Sequence, residues 1–142
     1  MTRKAAFHAA CYMVIEKDSQ ILLHLRRNSG YFDGYYSIPA GHLEQNEKCM
    51  DCIIRELREE TSLEVNKEDL EFLFAIGPSE KSDYVCLFFG ANKYKGVPTI
   101  MEPDKCSELK FYDLNNLPNN LVPELEVFLE GRKNGLNYSD ER

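Results

Sequence analysis

From Glu47 to about Thr61 the apolar residues Met50, Ile53, Ile54 and Leu57 recur at i, i+3, i+4 and i+7, the period of an α-helix with one buried stripe. Such a stripe must lie on an apolar surface, and the flanking chain offers strands to supply it. Ala6 to Ile15 and Gln20 to Arg26 are apolar-rich and separated by Glu16-Lys17-Asp18-Ser19, which predicts a hairpin with a connector of about four residues. Further strands are expected over Leu70 to Ile76, Asp83 to Asn92 and Glu108 to Tyr112, divided by Gly77-Pro78-Ser79-Glu80 and by Lys93 to Lys105, which holds Gly96 and two prolines. A second helix should start near Pro123, bury Leu125, Phe128 and Leu129, and end at Gly131 or at Asn134-Gly135. The order βββ-α-βββ-α places the chain in the α/β class, a mixed β-sheet between helices, with residues 1–142 forming a single domain and Leu136 to Arg142 loosely held.

No run approaches the roughly 18 to 20 uncharged apolar residues of a membrane-spanning helix, and Met1-Thr2-Arg3-Lys4 leads into a strand, so neither a membrane nor a secreted location is expected. Seventeen Lys and Arg against 24 Asp and Glu give a formal charge of −7, which provides no field for a nucleic acid polymer. An anionic substrate would need local neutralisation. Five cysteines, an odd number spread through core-like segments, fit reduced thiols and a cytoplasmic location better than a disulfide framework. Cys49-Met50-Asp51-Cys52 reads as helix packing, because neither the setting of a redox pair nor two further zinc ligands is evident.

Glu56, Glu59 and Glu60 occupy i, i+3 and i+4, so three carboxylates share one helical surface toward the helix C-terminus, where the macrodipole also disfavours anions. A bare triplet of this kind reads as a solvated face. Its context reads otherwise. Gly41, Glu47, Arg55, Glu56, Leu57, Glu59, Glu60 and Leu63 stand at the spacings G-x5-E-x7-R-E-U-x-E-E-x-G-U, where U is a bulky aliphatic residue, with Ser62 in place of the second glycine. This resembles the signature of the Nudix hydrolase superfamily (MutT-like), and Tyr36 to Glu44 looks like the family's approach to it. The resemblance implies an α/β/α sandwich and metal-dependent cleavage of a phosphoanhydride bond in a nucleoside diphosphate derivative: a nucleoside triphosphate, an oxidised nucleotide, or a nucleotide sugar such as ADP-ribose. It further implies Mg²⁺ or Mn²⁺ held by Glu56, Glu59, Glu60 and the Ala40 carbonyl, with Arg55 paired to Glu47 to orient the cluster.

The chemistry suits that implication, since Mg²⁺ prefers oxygen ligands, retains several waters, and relieves repulsion among carboxylates. Ser62 removes no ligand, and costs on the order of 1 kcal/mol if its backbone must be left-handed. A further acid is expected from the segment Met101 to Glu108: Glu102 is favoured over Asp104 and Glu108, with Glu80 and Asp83 behind them. Arg26 and Arg27 end the second strand, where one guanidinium can face inward and grip phosphate. Tyr31, Phe32, Tyr35 and Tyr36 offer rings for a base, although packing is the commoner role for such aromatics. His8 is assigned an inward-facing position on the first strand. A small nucleotide is thus the expected partner, as monomer or homodimer. The competing functions are a noncatalytic nucleotide-binding module and an RNA end-processing hydrolase, the latter disfavoured by the charge.

Overall fold

The computed structural model describes residues 2–140. Strand β1 (His8–Lys17) is the centre of the molecule, and Ala10 to Ile15 are buried without interruption because both of its faces are covered. Cys11, Met13 and Ile15 point to one core, whereas Ala10, Tyr12 and Val14 point to the other, the two-residue period of an extended chain. β1 runs parallel to β6 (Tyr84–Ala91), antiparallel to β4 (Ala40–His42) and, at its far end, antiparallel to β2 (Gln20–Arg26). β2 in turn pairs with β3 (Tyr36–Ser37) and β7 (Cys106–Asp113), and β6 pairs with β5 (Leu70–Ile76). Helix α1 (Cys49–Thr61) lays Cys52, Ile53 and Leu57 on the first core, and α2 (Pro123–Lys133) lays Leu125 and Phe128 on the second. The mixed sheet between two helices is the sandwich expected from the sequence.

Several expectations need correction. The β1–β2 connector is two residues, Asp18 and Ser19, both with positive φ (51° and 63°), because the strands extend through Lys17 and resume at Gln20. This left-handed pair matches the strand twist of a tight hairpin. Of the two stops read for α2, Asn134-Gly135 is the one used, since the helix ends at Lys133 with Asn134 at its C-cap and Gly135 at a φ of 73°; a Cβ at Gly131 would lie 2.5 Å from the Phe74 ring, so that glycine serves close packing within the helix. The tail is tied down in part, since β8 (Tyr138–Ser139) adds a parallel partner to β5, while Glu141 and Arg142 lie outside the described residues. His8 does not face inward. Its side chain is 70% exposed, with Nε2 3.8 Å from Asp83.

Candidate active site

β4 brings its backbone against α1 at Gly41, where a Cβ would lie 2.2 Å from the Glu56 side chain. The close approach that only glycine permits sets Ala40 beside the acidic face. Arg55 organises that face: its Nε and Nη2 donate to the two carboxylate oxygens of Glu47 at 3.0 and 3.2 Å, while Nη1 donates to Glu56 at 2.9 Å and Glu59 at 3.2 Å. A two-point grip of this kind fixes the carboxylate plane. Hydrogen bonding from Arg55 holds the Glu47 carboxyl below the usual carboxylate range.

Glu60 lies deeper. Burial, followed by the hydrogen bond and charge of Glu56, pushes its carboxyl well above the usual range, against a weak opposing contact from the Ala40 N–H at 3.4 Å. His24 on β2 sits beneath it, Nδ1 3.9 Å from Glu60 Oε1. Burial and then the charge of Arg26 push this imidazole down to about 4, so it is neutral near pH 7 and the contact is not an ion pair. The His24 Nε2 has no hydrogen-bond partner among the described residues.

These groups open into a cleft of about 460 Å³ that also takes in Arg26, Glu102 and Lys105. Of the candidate acids Glu80, Asp83, Glu102, Asp104 and Glu108, Glu102 is the one that lines it, close enough that its charge raises Glu60 further. Glu108 instead accepts hydrogen bonds from Tyr36 and Tyr112. Asp104 contributes its backbone carbonyl to Asn28 Nδ2.

A second cavity of about 390 Å³ adjoins the first through Arg26, Ser29 and Ala40. Arg26 is fixed at the junction by Nε to the Tyr31 carbonyl at 2.7 Å and Nη2 to Ser29 Oγ at 3.0 Å. The second cavity contains Glu124, buried at the start of α2, whose carboxylate accepts from Tyr31 Oη at 2.9 Å and Tyr12 Oη at 3.4 Å. Arg27 and Phe32 line neither cavity. Arg27 lies just past the end of β2, exposed, with its backbone N–H donating to the Lys105 carbonyl at 3.0 Å, and Phe32, with a φ of 45°, packs edge-on against Tyr31 and Tyr35. His24, Tyr12 and Glu124 were not legible as site residues. The first two look like strand interior in the sequence, and Glu124 looks like an ordinary first-turn acid of a helix.

The NUDIX domain family model matches residues 6–131. The chain belongs to the Nudix family. Among curated relatives, the ADP-ribose pyrophosphatase of Methanocaldococcus jannaschii is 32% identical over 106 residues, 74% of this chain and 61% of that protein. The NAD-capped RNA hydrolase NudC of Pseudomonas putida is 31% identical over 107 residues, 75% of this chain but 36% of that protein. The chain thus spans less than two thirds of the length of these relatives. The crystal structure of a MutT Nudix hydrolase from Burkholderia pseudomallei superposes with a TM-score of 0.81 at 23% identity, covering 88% of this chain and 97% of that one. That likeness establishes the Nudix α/β/α sandwich.

The donor set suits a hard divalent cation. Among the described residues no three acidic, histidine or cysteine side chains form a ready-made cage. Mg²⁺ does not require one, because it commonly keeps waters beside one or two carboxylates and substrate phosphates. A buried Glu60 beside Glu56 is a place where added positive charge offsets both desolvation and repulsion.

Proposed function

We propose that this Nudix domain is a metal-dependent pyrophosphohydrolase acting on a nucleoside diphosphate derivative. The observation that carries the reading is the junction at Arg26, where an acidic cleft of pyrophosphate-compatible chemistry opens into a cavity large enough for a nucleoside. Glu56, Glu59, Glu60 and the Ala40 carbonyl are the groups that would hold Mg²⁺ or Mn²⁺, which supplies neutralisation of phosphate charge. Arg55 orients Glu56 and Glu59 through its bonds to both and is itself locked by Glu47. Arg26 grips phosphate oxygens from the opposite wall. The Glu102 carboxylate takes the proton of the attacking water. In the second cavity, Tyr31 flanks the base and the Glu124 carboxylate accepts hydrogen bonds from it.

The names of the two relatives narrow the substrate class. ADP-ribose and NAD both carry adenosine joined through a pyrophosphate to a second ribose, so nucleotides of that kind head the expected list. The odd count of five cysteines supports reduced thiols and a cytoplasmic location for the enzyme.

The test is a substrate panel of nucleoside triphosphates, oxidised nucleotides, ADP-ribose, NAD and NAD-capped RNA, each with Mg²⁺ and with Mn²⁺. Metal-dependent release of a nucleoside monophosphate, abolished by chelation, is expected. Binding of a panel member without hydrolysis under either metal would favour the noncatalytic module.

A further inference from the structure

Helix packing explains two of the three thiols that meet at the start of α1, and not the third. Cys11 on β1 and Cys52 on α1 are fully buried. Cys49, the first residue of α1, is only half-buried and packs against the same core cluster that holds Cys11 and Cys52. The other cysteines stand apart: Cys86 contacts the Tyr12 hydroxyl, and Cys106 contacts the Glu108 carbonyl.

Ideal helical geometry places Cα atoms three residues apart at about 5 Å, inside the span that a disulfide bridges. The first turn is also weakly held, because the residue before it, Lys48, makes no side-chain capping bond. Cys49 is the sulfur that a dissolved reagent can reach, and Cys52 is the neighbour placed one turn on.

We propose that Cys49 and Cys52 are a thiol–disulfide site, closed by exchange with a low-molecular-weight disulfide such as glutathione disulfide. The Cys49 thiolate attacks one sulfur of the reagent and expels one glutathione thiolate, leaving a mixed disulfide on Cys49. Cys52 then gives up its proton, attacks the Cys49 sulfur and expels the second glutathione. Two protein thiols are oxidised and one glutathione disulfide is reduced to two thiols, so electrons and protons balance. Closing the bond exchanges the present contacts of Cys52, its hydrogen bond to the His42 carbonyl at 3.6 Å and its approach to Arg55 Nη2 at 4.0 Å, for a covalent link. The site therefore abuts the guanidinium that orders the glutamates without containing any of them.

The full chain is incubated with glutathione disulfide and glutathione at graded ratios, acid-quenched, alkylated and mapped by mass spectrometry. The expected result is loss of two of the five alkylatable thiols, a Cys49–Cys52 peptide lighter by two hydrogens, and full recovery with dithiothreitol. Cys49→Ser should abolish the two-thiol loss, whereas Cys11→Ser should retain it. The proposal is overturned if all five thiols of the unsubstituted protein stay alkylatable across the ratios, if the bond maps to Cys11, or if the two-thiol loss survives Cys49→Ser.

Discussion

Ser62 stands where the family spacing has glycine, and its φ of 65° and ψ of 0° place it in the left-handed region. That conformation costs a non-glycine residue about 1 kcal/mol. Part of the cost is offset by the serine itself, since its Oγ donates to the Val97 carbonyl at 3.2 Å. The two effects oppose each other in Ser62→Gly, which relieves the backbone and loses the bond, so its stability should change by less than about 1 kcal/mol. Ser62→Ala keeps the strain and loses the bond, and should be the less stable variant by about 1 kcal/mol. Urea unfolding of both decides it, and equal midpoints would separate this residue from either effect. At Glu60 the expectation concerns turnover. Glu60→Gln keeps the shape of the side chain and removes a charge that burial and Glu56 oppose. Metal-free stability should hold or rise, while kcat falls by about two orders of magnitude or more through lost cation affinity. An unchanged kcat would take Glu60 out of the site.

At the scale of elements, α1 is well determined in its body and poorly determined at its start. Its apolar stripe announced the helix to within two residues of Cys49, and the carboxylates are ordered by the Arg55–Glu47 pair that the family spacing implied. The strands β2 and β5 have the bounds read from the sequence because apolar runs there stop at polar turns. What escaped the reading depends on contacts remote in sequence. β8 forms because β5 has an open edge, His24 becomes part of the site because β2 passes under α1, and Glu124 is buried because Tyr12 and Tyr31 reach it from two other segments. None of these leaves a local periodicity. The uncapped start of α1 is itself testable. Lys48 is exposed, with φ −85° and ψ 143°, a backbone that a capping serine can adopt unchanged. Lys48→Ser should raise stability by about 1 kcal/mol, read as a higher urea midpoint at unchanged slope. No shift would mean that the first turn is held by the contacts of Cys49 and Met50 with the core.

For the molecule as a whole, the sandwich divides labour between its faces: two cores on either side of β1 hold the sheet, and the cleft sits where β2, β4 and α1 converge on one side of Arg26. With a net charge of −7 the protein repels the anions it is proposed to bind, so the acidic cleft must acquire positive charge before substrate can enter. The folded arrangement brings Glu56 and Glu60 together, and the unfolded chain does not hold them in this geometry. A cation that needs both will therefore bind the native state in preference and stabilise it by mass action, by about 2.7 kcal/mol when its free concentration is about 100 times Kd. Thermal unfolding in Mg²⁺ should accordingly shift upward by several degrees, saturate as sites fill, and reverse with chelator. Ca²⁺ or Na⁺ at matched ionic strength separates this from simple screening, which would raise stability in any salt by relaxing the net charge. In Glu56→Gln combined with Glu60→Gln the Mg²⁺-specific part should vanish while the general salt effect stays. If the double variant keeps the full Mg²⁺-specific shift, the cation binds elsewhere and the acidic face of α1 is an ordinary solvated surface.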